Sequence, residues 1–126
     1  MRISRARAGD MPSEARTQTF TGTVWADPVL AETEGVTINN VFFAPGARTH
    51  WHTHDRGQVL HVLAGQGYAC LRDGRRQEIR GGDVVFFEPD EEHWHGAAES
   101  SYMLHLAISL GGHDWLEPVT DEEYGA

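Results

Sequence analysis

Apolar and polar residues alternate along most of this chain with a period of two, the signature of strands with one buried face. Residues 20–25 (FTGTVW) predict a first strand that stops at Asp27-Pro28. Val36–Phe43 (VTINNVFF) predicts a second, ended by the turn dipeptide Pro45-Gly46. A third covers residues 49–54 and a fourth 58–64, with Gly65-Gln66-Gly67 expected to end it. Residues 68–72 and 76–80 flank Asp73-Gly74, a strong hairpin signal. Val84–Phe87 is a continuous apolar run, read as a buried strand; a loop at 88–92 then leads into His93–Ala97. Residues 102–110 (YMLHLAISL) form the last long strand, and no long helix or internal repeat is predicted. Short strands at this spacing, separated by turn signals, predict an all-β sandwich or barrel.

At 126 residues the chain is one domain. Residues 1–17 lack periodicity and are expected to form a flexible N-terminal arm. Residues 18–126 make up the domain, whose acidic tail from 111 onward is expected to pack Trp115 and Leu116 back onto the barrel.

Charge narrows the function classes. The formal net charge is −9, and all ten basic residues are arginine. With no lysine, Schiff-base chemistry and lysine-based proton transfer are excluded. An acidic chain without a basic stripe is a poor partner for nucleic acid or an anionic membrane. The single cysteine, Cys70, rules out an intramolecular disulfide and reads as a small buried apolar residue. No apolar run is long enough to span a membrane and no signal-peptide core is present, so the expected location is the cytoplasm.

Candidate chemistry is concentrated in histidines. His50, His52, His54, Gln58 and His61 fall within twelve residues, and His93 and His95 form a second group. In an extended chain His50, His52 and His54 share a face, as do His93 and His95. Imidazole is the commonest protein ligand for divalent transition metals, and two such groups on separate strands suit a metal site inside a β-barrel. His105 shares parity with Met103, Ala107 and Ser109, the less apolar face of its strand. It is read either as an interior group beside the metal or as a core histidine bonded to a backbone carbonyl. His95 is either a pocket base or a hydrogen-bonded core residue, and His50 lies at the pocket rim or in solvent. His61, out of phase with Gln58, is expected to face away, and His113 in the tail offers no case for function. Trp51, Trp94 and the Phe42-Phe43 and Phe86-Phe87 pairs read as core or subunit interface, and Arg48 as a surface ion-pair partner.

Gly46, five residues, His52-x-His54, three residues, Gln58, six residues, Gly65 resembles the first cupin motif, with Gln58 in place of the usual glutamate. Residues 82–93, GDVVFFEPDEEH, resemble the second, with Asp90 where glycine is usual. The resemblance implies a single-domain jelly-roll barrel, the double-stranded β-helix, holding one divalent transition metal per chain on His52, His54, Gln58 and His93. Gln58 either ligates directly or bonds a water on the metal.

The segments FTGTV…DP, PGARTxWHTHxxGQ, GDVVxFxPxExHWHGAA, HLAI and DWxEPVTDEEY are similar to those of small bacterial cupins that act as manganese-dependent hydroxynitrile lyases. By that likeness His105 is the acid/base, assisted by His95, and Asn39, Val41, Thr49 and Ser109 face the substrate. Manganese is the implied metal, although iron, nickel, copper and zinc also suit nitrogen and oxygen donors. Three imidazoles and an amide bring no charge, so a divalent cation keeps its full +2 and stabilises a developing alkoxide or cyanide. The expected function is therefore a metal-dependent lyase on a small carbonyl adduct such as a cyanohydrin. The alternatives are a dioxygen-using cupin oxidoreductase and a non-catalytic binder of a small ligand. The expected partners are a small-molecule substrate and a second copy of the chain, as homodimer or dimer of dimers.

Overall fold

Alternating side chains give each strand two unequal faces, and burying the apolar one curls the sheet on itself. The computed structural model describes residues 1–125. In chain order its strands are β1 (Glu14–Ala15), β2 (Phe20–Thr21), β3 (Val24–Thr33), β4 (Val36–Phe43), β5 (Arg48–Thr49), β6 (His52–His54) and β7 (Gln58–Leu71). There follow β8 (Arg76–Arg80), β9 (Val84–Phe87), β10 (His93–Ala97), β11 (Met103–Leu110), β12 (His113–Trp115) and the short helix α1 (Asp121–Gly125).

Two antiparallel sheets enclose the core. One runs β1-β3-β4-β11-β7-β9. The other runs β8-β7-β10, and the far edge of β10 is shared by β6, which pairs His52 with His93, and β5, which pairs Arg48 with Gly96. β12 extends the sheet beyond β6, and β2 beyond β5. Strand β7 belongs to both sheets and closes the barrel on one side. Phe43, Leu60, Val62, Met103 and Phe87 fill the interior. This is the jelly-roll barrel that the resemblance to the cupin motifs implied.

Several expectations need correction. The first strand does not stop at Asp27-Pro28: β3 runs on to Thr33, and the ladder slips register between Pro28 and Leu30. Proline lacks an N–H but is accommodated at such an irregularity near a sheet edge. Gly65-Gln66-Gly67 does not end a strand, because β7 continues to Leu71. There the chain passes from one sheet to the other, with Gly65 at φ 79°. A β-carbon on Gly65 would lie 2.0 Å from the Tyr102 carbonyl oxygen, so only glycine permits the crossing. The predicted strand 49–54 is broken at His50-Trp51 into β5 and β6. Val84–Phe87 is a strand but not a buried one: Val84 and Phe86 are exposed on its outer side while Phe87 is inside.

Other expectations hold. Cys70 is buried, and burial pushes its thiol up to about 11, which suits an inert core residue. The parity of β11 is as read, with Met103, His105 and Ala107 buried. Trp115 packs on the barrel at 5.5 Å from the Phe20 ring, whereas Leu116 remains exposed. Arg48 does form an ion pair, with Asp121 at 2.8 Å, but it is buried rather than superficial and also donates to the Val119 carbonyl. Among the described residues, no helix is long and apolar enough to cross a membrane.

Gly65→Ala is expected to lower the unfolding free energy by about 3 kcal/mol or more, through backbone overlap added to left-handed strain. Gly74 also has positive φ but faces open space. Its replacement by alanine is expected to cost about 1 kcal/mol. Urea midpoints of the two variants test this; equal losses would mean that the sheet crossing at Gly65 is not constrained.

Candidate metal centre

Strand pairing brings the two histidine groups together. His93 on β10 lies directly across from His52 on β6, their rings 4.2 Å apart. His54, two residues along β6, places its ring 5.1 Å from His52 and 5.7 Å from His93. Gln58 opens β7 opposite Ser109 of β11, and His105 enters from the same strand four residues earlier. His95 follows His93 on the interior face of β10, 5.9 Å from it ring to ring.

These side chains meet at a cavity of about 220 Å³. Of the ten residues singled out from sequence, nine line it: Asn39, Val41, Thr49, His52, His54, Gln58, His95, His105 and Ser109. The tenth, His93, stands behind them, its ring stacked on Phe87 at 3.6 Å. Two of the four residues expected to meet substrate already have partners. Ser109 Oγ accepts from Gln58 Nε2 at 3.1 Å, and Thr49 Oγ1 accepts from the His95 backbone N–H at 3.3 Å.

Hydrogen bonding fixes which histidine nitrogens are free. His52 Nδ1 lies 2.9 Å from the His50 carbonyl, and His93 Nδ1 lies 2.8 Å from the Glu91 carbonyl. A carbonyl can only accept, so each Nδ1 carries the proton and each Nε2 presents a bare lone pair. Gln58 donates through Nε2 to Ser109, which leaves its Oε1 facing His93 Nε2 at 3.2 Å. Two acceptors at that separation repel unless a cation lies against both. Both nitrogens of His54 are buried without a partner. These unpaired acceptors fit a divalent cation, in the neutral donor chemistry that manganese, iron or zinc accepts.

His52, His93 and His95 also offer nitrogen atoms within 4.8 Å of one another. His95 Nδ1 is engaged by His105 Nε2 at 3.0 Å, which leaves its Nε2 as the nitrogen it can offer to that group.

Burial keeps the whole group neutral. It lowers His54 and His105 to about 4 and His93 to about 3, and pushes His52 and His95 well below the ordinary histidine value. Neighbouring imidazoles add to the effect at His52 and His95, because no two can charge together in so small a space.

Some residues were placed differently by sequence. His61 faces solvent, as expected. His50 contributes its carbonyl to His52 but does not line the cavity. His113, for which the sequence offered no case, lines the mouth 6.1 Å from the His54 ring. Trp115 lies 4.6 Å from His52 and with Phe20 forms an aromatic wall. The signal for both was the alternation His113-Asp114-Trp115, a three-residue strand that pairs with the histidine-bearing β6.

Residues 39–109 match the cupin domain family. The chain belongs to the cupins. An (R)-mandelonitrile lyase from Granulicella tundricola is 51% identical over 111 residues, covering 83% of this chain and 85% of that protein. A cupin-like protein of known structure from Thermotoga maritima superposes with a TM-score of 0.84 at 36% identity, covering 93% of this chain and 95% of that one. A polyketide cyclase from Streptomyces resistomycificus shares the fold, with a TM-score of 0.75 at 18% identity over 98% of this chain and 91% of that one. In this cupin the buried histidine cluster marks a divalent-metal site.

Two outcomes follow from the chemistry of the cluster. Adding a divalent cation at about 100 times its dissociation constant is expected to stabilise chelator-treated protein by about 2.7 kcal/mol, read as a shift in thermal midpoint. The pH dependence of the chelator-treated protein has a definite sign. Each imidazole titrates near 6.5 when unfolded and lower when folded, so the unfolded chain takes up protons first as pH falls. Stability is full above 6.5 and declines between 6.5 and about 4, where His54 and His105 begin to protonate in the folded state. A urea midpoint unchanged between pH 7 and pH 5 would contradict this.

Proposed function

We propose that this cupin is a metal-dependent lyase that cleaves and forms cyanohydrins or closely similar small carbonyl adducts. Its metal, manganese in this reading, is held by His52, His54, Gln58 and His93. The observation that carries the reading is the His95–His105 contact at 3.0 Å on the wall of the histidine-lined cavity. It is supported by the 51% identity to a protein named (R)-mandelonitrile lyase.

A divalent cation bound there acts as a Lewis acid that lowers the pKa of a hydroxyl and stabilises the resulting negative oxygen. The chain's own residues do the rest. His105 Nε2 and His95 Nδ1 lie on one hydrogen bond, so a proton taken from the substrate hydroxyl is received by this pair. Burial keeps both imidazoles unprotonated at neutral pH, the form a base requires. The same burial makes them weak bases, suited only to a hydroxyl that is already acidified.

As the proton leaves oxygen, the carbon–oxygen bond becomes a carbonyl and the carbon–carbon bond to the nitrile breaks. Its electron pair departs with cyanide, and the imidazolium returns the proton to give hydrogen cyanide. Addition is the reverse. Val41 and Asn39 line the cavity on β4 beside His105, and Phe20 and Trp115 supply an aromatic wall for an organic substituent.

Manganese-loaded protein is expected to release cyanide from racemic mandelonitrile above the spontaneous rate, and chelator-stripped protein is not. His105→Ala is expected to retain bound metal, measured by elemental analysis, while losing at least about 100-fold in turnover. Full turnover in a metal-loaded His105→Ala protein would remove His105 from the mechanism. Identical cyanide release with and without metal would sink the lyase reading while leaving the histidine cluster in place.

A further inference from the structure

The path of paired strands starts at β1 and finishes at β2, so the barrel has a seam between these two. Residues 16–19 alone join them in sequence. This bridge is pinned to both sheets. The Arg16 N–H donates to the Val24 carbonyl at 2.9 Å, and the Thr19 carbonyl accepts from the His50 N–H at 2.9 Å. Ala15 stands opposite Trp25, whose side chain is outside, so alternation turns Arg16 inward, to the side of the buried Val24 and Ala26.

Arg16 and Thr19 both line the histidine cavity from this seam. Among the lining side chains Arg16 is the one that carries a permanent charge, and no carboxylate joins it there. The guanidinium is also underused. Among the described residues its ion-pair partner is Glu14, at 3.6 Å, beyond hydrogen-bond reach and with both side chains part-exposed. Such a pair is weak and easily displaced. Arg7, Arg48 and Arg72, by contrast, each donate to a carboxylate at 3.0 Å or less.

We propose that Arg16 is a specificity residue of this cavity, binding the carboxylate of a substrate whose hydroxyl or carbonyl group sits at the histidine cluster. The proposal rests on the lyase reading for the reacting end and names the substrate class: a small organic acid that carries its cyanohydrin, or the parent aldehyde, away from the carboxylate.

Charge and shape support this class. A divalent cation on uncharged donors and a guanidinium at the seam would put positive charge at two points of one cavity, within a chain whose net charge is −9. Phe20 and Trp115 supply the apolar wall of the same cavity. The arrangement complements a molecule with oxygen at both ends and carbon between. A single guanidinium fork matches the two oxygens of a planar carboxylate, whereas a phosphate dianion would call for further donors. Glu14 is the part-exposed carboxylate that such a ligand would displace from Arg16.

The test is calorimetric titration of manganese-loaded, full-length protein with para-(hydroxymethyl)benzoate and para-(hydroxymethyl)benzamide, probes of nearly one shape that differ in charge. Wild type is expected to bind the acid at least about tenfold more tightly than the amide. In Arg16→Gln that preference is expected to fall about tenfold, and in Arg16→Lys only in part, because an ammonium keeps the charge but not the fork. Arg5→Gln, which removes the same charge from an exposed part of the arm, leaves the preference as it is. Absence of the preference in wild type, or of any binding by either probe, would overturn the proposal. So would a preference that survives Arg16→Gln, since the metal alone would then hold the carboxylate. In the cyanide assay para-carboxymandelonitrile is expected to exceed mandelonitrile in kcat/KM, with Arg16→Gln removing the advantage. Failure of both nitriles to release cyanide while the acid still binds through Arg16 would strike the lyase reading and uphold the carboxylate site. Cyanide release without a binding preference would do the opposite.

Discussion

Five buried imidazoles packed around one small cavity are the constraint that the rest of the structure answers to. Removing a neutral histidine from water sacrifices hydrogen bonds, and here the sacrifice is only partly made good inside the protein. Two backbone carbonyls take the Nδ1 protons of His52 and His93, but their opposite nitrogens, the one acceptor nitrogen of neutral His54 and the Gln58 oxygen are left without donors. Such a convergence of lone pairs is unfavourable by itself. It becomes favourable when the space between them holds positive charge, so metal binding there would stabilise the fold.

The scaffold holds that arrangement with short, rigid connections. β10 lies at the centre of it, flanked by β7 on one side and by the broken pair β5 and β6 on the other. The break at His50-Trp51 turns the His50 carbonyl onto His52, so an apparent defect in the strand orients a ring. Close backbone approach does similar work at Gly96, where a β-carbon would lie 2.5 Å from the Ala47 carbonyl oxygen. Arg48, buried beside the Tyr124 ring at 4.6 Å, ties the C-terminal segment to the same region.

Much of this could be read in the sequence because period-two alternation and ligand spacing are local properties. His52-x-His54 and His93-x-His95 declare a shared face whatever the rest of the chain does, and the parity of β11 placed His105 inside. What was missed depends on partners distant in sequence. Whether Pro28 ends a strand depends on which edge of β3 is paired, and whether Gly65 breaks one depends on Tyr102 lying beneath it. Val84 and Phe86 look like core because they are apolar, yet the side chains they alternate with, Val85 and Phe87, are the ones facing in. His113 and Trp115 carry no motif of their own. They reach the cavity only because β12 happens to pair with β6.

That last pairing bears on how the protein comes into being. The wall of the cavity is made from both ends of the chain: Phe20 from β2 near the start and Trp115 from β12 near the finish. During synthesis the proposed ligands His52, His54 and Gln58 leave the ribosome long before the strand that flanks them. His93 and His105 follow, and β12 emerges after them. A nascent chain thus exposes the histidines of the cluster to solvent before the pocket exists. The finished pocket exists only once β12 has paired with β6.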